Sequence, residues 1–423
     1  MKALHFACLL LILATSPSSL LATGPRRSLL EDPDYQPNWE KCCSPFVVVR
    51  DVALIHTMQV FATEKWLNAE GCGGAIEMEV GSVLEELDLV LQEGGSSLKQ
   101  VVKLNVYVSS GLTAKAVATG LQHRFLGSQM PAVCYVTTNF SIRRARVAMD
   151  AVAKTNQSPQ HVQRWMRTPK TSVSRKKAQA EAASVAETGG AILPVGPRVY
   201  ISGQAEKGDG SLADATRQTM AGLVKTLDHL GLSRHDVVQL KAFLTPMKDA
   251  SVAVKEMIAA FPGETPPPIV LVEWESSLPI EIELIAASPA PKETQKAEPL
   301  EFITPPWMKA SPVFCRVVRV NHPATIYISD QYGETDKPDS AEEVRDLYGS
   351  LRRIAKISGS DLQHLAKATY YVSTDEVSGH LNTVRPEFYD PARPPSASKA
   401  KVRGTGREGR IITLDMIAVP KQP

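Results

Sequence analysis

Three stretches of this chain are written in the same register. At an offset of 136 residues and then of 128, Leu87, Leu223 and Leu351 fall in one column, Leu84, Met220 and Tyr348 in a second, and Leu91, Leu227 and Ala355 in a third. Columns three and four residues apart trace one face of a helix. Gly95, Gly231 and Gly359 stand where each helix would stop. The register runs on into residues 101–110, 237–246 and 365–374, each rich in β-branched and aromatic side chains and so predicted as a strand. Phe125, Phe261 and Tyr389 close a second helical stretch, and Pro131, Pro267 and Pro395 open a further strand. Residues 147–153, 280–286 and 412–418 supply the last strand. Upstream of each long helix another strand ends in His56-Thr57-Met58-Gln59, Ile201-Ser202-Gly203-Gln204 and Ile328-Ser329-Asp330-Gln331. Strands, helix, strand, helix, strands predict an α+β layer with helices on one sheet face. The spacing predicts it three times in tandem.

The copies are expected at 39–153, 165–288 and 307–420, the second with an inserted charged, alanine-rich stretch at 171–191. Residues 155–164 and 288–306 read as linkers. Trp39-Glu40-Lys41, Trp165-Met166-Arg167 and Trp307-Met308-Lys309 precede the copies, and a large flat side chain at one place per copy suits docking on a neighbour. Residues 1–22 resemble a secretory signal peptide: Lys2, an apolar run over 7–14, then Leu20-Leu21-Ala22 with cleavage after Ala22. The expected localisation is therefore secreted or periplasmic, with no membrane span. Five cysteines would remain, Cys42, Cys43, Cys72, Cys134 and Cys315, without a C-x-x-C spacing. Buried or free thiols are the favoured reading, a bridge from the 42/43 pair to Cys72 the alternative.

Lys plus Arg number 47 and Asp plus Glu 45, which is far from the concentrated positive charge that nucleic-acid binding needs, so no such partner is expected. Metal, cofactor and nucleophile-elbow motifs are missing, and neither metal nor cofactor is expected. Gly404-Thr405-Gly406-Arg407-Glu408-Gly409 fits G-x-G-x-x-G but leads into a strand, and reads as a hairpin loop.

The second copy is the most telling. Its Ile201-Ser202-Gly203-Gln204, Leu230-Gly231-Leu232, Asp236-Val237-Val238 and Ile280-Glu281-Ile282-Glu283-Leu284-Ile285-Ala286 resemble the RidA/YjgF family of reactive-intermediate deaminases, also called L-PSP endoribonuclease-like proteins. The resemblance implies a chorismate-mutase-like α+β fold and a trimer with ligand clefts between subunits. With three copies in one chain it implies an intramolecular pseudo-trimer, monomeric in solution.

It also implies a chemistry. Active members hydrolyse enamines and imines of amino acids, holding the carboxylate on an arginine two residues past the proline that opens the penultimate strand. Arginine suits the task because its planar fork makes two parallel charge-assisted bonds. Here that place is taken by Val133, Ile269 and Ala397. A carboxylate entering an apolar cleft without a cation is costly to desolvate, so the expected ligand is a neutral or weakly polar small molecule, or the clefts are structural. A relocated cation, with Arg143, Arg144 and Arg146 or Arg403, Arg407 and Arg410 as candidates, would restore an enamine/imine deaminase. A protein-interaction scaffold using the inter-copy surfaces and tryptophan arms is the third reading. The family's last-strand glutamate, which positions water or shuttles a proton, matches Glu281, with Ala148 and Thr413 in the other copies. The next acid persists as Asp150, Glu283 and Asp415 and reads as a strand-face carboxylate. Asn382 matches a cleft asparagine that is Ala118 and Val254 elsewhere, and Ser202 and Gly203 join the ligand-binding candidates by resemblance.

Overall fold

A computed structural model describes residues 43–63, 67, 76–125, 130–167, 187–290, 298–335 and 337–421. Along the chain come β1 Phe46–Arg50, β2 Leu54–Thr57, β3 Val60–Phe61, α1 Ile76–Glu93, β4 Val101–Val108, α2 Gly111–Arg124, β5 Ala132–Thr137, β6 Val147–Lys154, β7 Gln163–Arg167 and β8 Thr188–Leu193. Next follow β9 Arg198–Gln204, α3 Leu212–His229, β10 Val237–Leu244, α4 Ala250–Ala259, β11 Ile269–Glu273, β12 Ile280–Ala287, β13 Leu300–Ile303 and β14 Val317–Val320. The last are β15 Ala324–Gln331, α5 Ala341–Ile357, β16 Leu365–Val372, α6 Asp375–Val384, β17 Ser396–Lys401 and β18 Ile412–Ala418. We call β2–β6 with α1 and α2 unit I, β9–β12 with α3 and α4 unit II, and β15–β18 with α5 and α6 unit III.

The three sheets run β5-β4-β6-β2-β8-β7, β11-β10-β12-β9-β14-β13 and β1-β15-β18-β16-β17. In each, the penultimate strand of the unit lies parallel to the strand after the long helix, and the last strand pairs antiparallel beside it. The long helices bury the columns that the spacing picked out: Leu87, Leu223 and Leu351 are fully buried, each such leucine contributing about 1.5–3 kcal/mol. Gly95, Gly231 and Gly359 take φ of +72°, +71° and +84°, the left-handed turn that ends a helix without a Cβ penalty.

The strand ahead of each unit belongs to another sheet. β8 pairs with β2, β14 with β9, and β1 with β15. At residues 51–53, 194–197 and 321–323 the chain turns from one sheet into the next. The expected linkers and insertion thus contain β7, β13 and β8. These strands are only four to six residues long and sit in polar or glycine-rich text, so their periodicity is weak.

Three further readings need correction. In unit I the upstream strand is slipped by one residue: His56 pairs with Val152 where Tyr200 pairs with Ile285 and Tyr327 with Ile417, so Gln59, not Met58, stands in the place of Gly203 and Asp330. Trp165 lies within β7 opposite Gly190, whereas Ile303 opposite Val317 takes the corresponding place in the next hairpin and Trp307 falls beyond it. Trp165 packs on Gly190 of β8 and on Gly94 at the end of α1 in unit I, and Trp307 stacks edge-on with His229 of α3 in unit II, so each packs on the preceding unit although the two do not occupy equivalent places. The 404–409 loop joins β17 to β18 across the intervening β16 and is not a hairpin.

The helix-free faces meet. Val102, Val152, Tyr200, Val238, Ile285, Tyr327, Ala366 and Ile417, drawn from all three sheets, form one core, and Tyr107, Phe243, Val270, Trp274 and Tyr371 belong to another. The same interior holds Lys103, Lys241, Lys367, Asp150, Glu283 and Asp415, all buried. Lys103 Nζ lies 2.8 Å from Asp415, Lys367 Nζ 2.8 Å from Glu283, and Lys241 Nζ 4.0 Å from Asp415, so every pair joins two units. Asp150 accepts from Tyr107 Oη at 2.6 Å and Asn105 Nδ2 at 2.9 Å. The acids read as strand-face carboxylates are therefore the counter-ions of a buried interior layer.

No helix among the described residues is long and apolar enough to cross a membrane. Residues 1–22, Trp39, Cys42 and Cys72 lie outside the described residues, while Cys134 and Cys315 are buried thiols.

Candidate functional site

Where units II and III meet, a cavity of about 610 Å³ is lined by Gly203, Glu281, Asn382, Ala397, Ser398 and Lys399, with Trp307, Phe314 and Arg316 forming a further wall. Four of the seven residues singled out from the sequence, Gly203, Glu281, Asn382 and Ala397, converge here. The neighbouring Ser202 is buried, and its Oγ finds no partner among the described residues. Val133 and Ile269 do not reach any such space: each is buried in the sheet–helix core of its own unit.

Backbone geometry brings the parts together. Glu281 sits on β12 beside β9, and a Cβ placed on Gly203 would come within 1.9 Å of its Oε1. Only glycine leaves room for that carboxyl. Gly203 N–H donates to Ser398 Oγ of unit III at 3.1 Å, tying the two walls. Burial, and then the charge of Glu283 two residues on, push the Glu281 carboxyl up to about 7, against the pull of Ser398, Arg316 and Lys399. A carboxyl that is half ionised at neutral pH can both accept and return a proton.

The lost arginine has neighbours that carry charge. Lys399 lies two residues beyond Ala397 on β17, hence on the same side of the strand, and its Nζ donates to Ser378 Oγ at 2.8 Å and Asn382 Oδ1 at 3.2 Å. Arg316, just ahead of β14, donates from Nε to Lys309 O at 3.2 Å and lies over the Phe314 ring. Arg385, at the end of α6, is buried against Tyr370 and also lines the cavity. Burial depresses the proton affinity of Lys399, helped by Arg385, and burial likewise depresses that of Arg316. Sequence comparison with the family pattern missed these cations because two of them lie outside the strand that carries the pattern. The candidates it did name are elsewhere: Arg146 pairs with Glu79 at 2.7 Å, while Arg403, Arg407 and Arg410 line a separate surface cleft beside Ser110 and Thr137.

At the place that corresponds to Gly203 and Glu281 the two other junctions are filled, the III–I junction keeping only the arginine-lined surface cleft at its edge. Between units III and I, Asp330 Oδ2 accepts from Tyr135 N at 3.2 Å and Tyr332 Oη at 2.8 Å, and Ser329 Oγ accepts from Val133 N at 2.9 Å. Between units I and II, Gln59 Nε2 donates to Leu271 O at 3.2 Å, and Phe61, Ala148, Val270 and Val272 close up as one apolar cluster.

Residues 182–288 match the family described as Endoribonuclease L-PSP. This stretch of the chain is similar to that family, and it supplies β9–β12 and with them Gly203 and Glu281. No curated protein matches the chain. Among solved structures, it is similar to a YjgF-family member from Neisseria meningitidis, at 20% identity over 29% of this chain and 97% of that one with a TM-score of 0.22. It is similar to yeast Mmf1 at 18% identity over 29% and 99%, with a TM-score of 0.22. It is also similar to RidA from the Antarctic bacterium Psychrobacter sp., at 15% identity over 30% and 92%, with a TM-score of 0.21.

Proposed function

We propose that the three units are tandem copies of the RidA-like fold, spanning 39–153, 165–288 and 307–420 and closed into an intramolecular pseudo-trimer, and that the cleft between units II and III hydrolyses imines and enamines of amino acids. The observation that carries this reading is Glu281, a carboxyl with a proton affinity near neutrality in a cleft whose cations have no carboxylate within ion-pair distance among the described residues. These cations replace the expectation of a neutral ligand, which rested on the missing arginine alone. They supply what a substrate carboxylate requires on leaving water.

The step balances without a cofactor. Glu281 takes a proton from water as the water oxygen bonds to the imine carbon and passes it to nitrogen, giving the carbinolamine; it then takes the hydroxyl proton and delivers it to nitrogen as the carbon–nitrogen bond breaks and the carbonyl forms. Ammonia and a keto acid leave. An enamine first accepts a proton at its β-carbon to become the imine. Export of the chain, read from residues 1–22, is part of the same proposal. Ammonia release from amino-acid-derived imines, measured against their spontaneous hydrolysis, tests the activity; no acceleration by the wild-type protein refutes it. Scattering in solution tests the assembly, which is expected to be monomeric near 44 kDa, the 46.0 kDa chain less roughly 2 kDa of leader.

A further inference from the structure

The II–III cleft carries more positive charge than one carboxylate can use. Arg316, Arg385 and Lys399 all line it, and none has a carboxylate within ion-pair distance among the described residues. Arg385 is only 7% exposed, and its Nε lacks a hydrogen-bond partner. The acids that line the cavity are Glu281 and the exposed Glu206. A buried guanidinium whose charge stays uncompensated is strongly unfavourable, and a single carboxylate cannot engage cations on opposite walls. The charges do come from opposite walls: Arg316 from the residue just ahead of β14, which completes the unit II sheet, Arg385 and Lys399 from unit III.

We propose that this cleft takes a substrate with two carboxylates, the imino acid of a dicarboxylic amino acid, one carboxylate on the Arg316 side and one on the Arg385–Lys399 side. This rests on the imine-hydrolase reading above and adds the substrate class. Arginine's fork suits either carboxylate, and Lys399, already oriented by Ser378 and Asn382, adds a point charge without repacking. Trp307 and Phe314 would cover the carbon chain between the two ends.

The test compares 2-iminosuccinate with 2-iminopropanoate, each generated in place by a flavin amino-acid oxidase, and in parallel the calorimetric affinity for succinate and propionate. The expected result is a preference of at least tenfold for the dicarboxylate in both measurements. Lys399→Met and Arg316→Met should each lower dicarboxylate turnover and succinate affinity about tenfold, and the variant that removes the cation under the carboxylate common to both substrates should lower the monocarboxylate values as well, the other leaving them nearly unmoved; dicarboxylate values unchanged in both variants would overturn the proposal, and a thermal melt confirms that each variant is folded. Hydrolysis of both imines at equal efficiency overturns the substrate class and leaves the activity standing. Selective succinate binding with neither imine hydrolysed supports the ligand class and removes the activity. Equal affinity for succinate and propionate, with neither imine hydrolysed, overturns both.

Discussion

The II–III and III–I junctions are built on corresponding strands and end in opposite states. Gly203, Glu281, Ser398 and Lys399 at one correspond to Asp330, Thr413, Cys134 and Tyr135 at the other. In the first, the smallest residue admits a carboxyl and leaves space. In the second, a side chain in the glycine's place binds Tyr135 N–H and Tyr332 Oη and fills it. The I–II junction is closed by a third solution, with Gln59 bonded to Leu271 O over an apolar floor. Three identical chains would have to carry three identical clefts. In one chain each junction is free to change, and here two are packed at the place where the third leaves an open cavity.

Four experiments break or sharpen that contrast. The largest effect is expected from Glu281→Gln, which should lower imine hydrolysis by about 10²–10⁴-fold with the fold intact by circular dichroism; unchanged turnover would make the open junction as inert as its neighbours. Asp415→Asn tests the interior layer shared by all three units. It leaves Lys103 and Lys241 without their carboxylate, and should cost about 3–5 kcal/mol in urea unfolding. Gly203→Ala forces the Glu281 carboxyl aside and should destabilise by about 1–3 kcal/mol, with a loss of activity larger than that instability explains. Asp330→Ala at the closed junction should cost about 1–3 kcal/mol from the two donors it strands, yet leave turnover unchanged.

The smallest effect is one of pH. Because folded Glu281 holds its proton up to about 7 while the unfolded chain releases it near 4.5, its contribution to stability is full below pH 4.5 and is lost as pH rises through 7. The difference in melting temperature between wild type and Glu281→Gln should therefore change between pH 5 and pH 8, wild type losing ground to the variant as pH rises. Asp415 behaves oppositely. Burial disfavours its charge, but Lys103, Lys241 and Lys367 outweigh that and hold the carboxyl well below the usual range, so its contribution is present above pH 4 and lost in acid.

Helix faces, strand order within each unit and the glycine stops were legible because they repeat at fixed spacing and each follows from local periodicity. Glu281, Asn382, Ala397 and Gly203 were legible through the family pattern, and they do share one cavity. The one-residue slip at His56 was not, since the break between β2 and β3 at Met58-Gln59 leaves too few residues on either side to fix a register. The cations were missed for a different reason. Arg316 reaches the cleft from just ahead of β14, a strand that joins another unit's sheet, and Arg385 from a helix end, so neither shares a short spacing with Ala397. Lys399 could have been found: two residues along a strand is the same face.

Each sheet borrows its outer strand from the stretch of chain leading into another unit, and β1, first in sequence, completes the sheet of unit III. During synthesis from the amino end that strand has no partner until β15 has emerged. The earliest of the described strands to leave the ribosome is thus among the last to find its place, and a ribosome-stalled fragment ending before residue 324 should expose it to protease, whereas the finished chain should protect it.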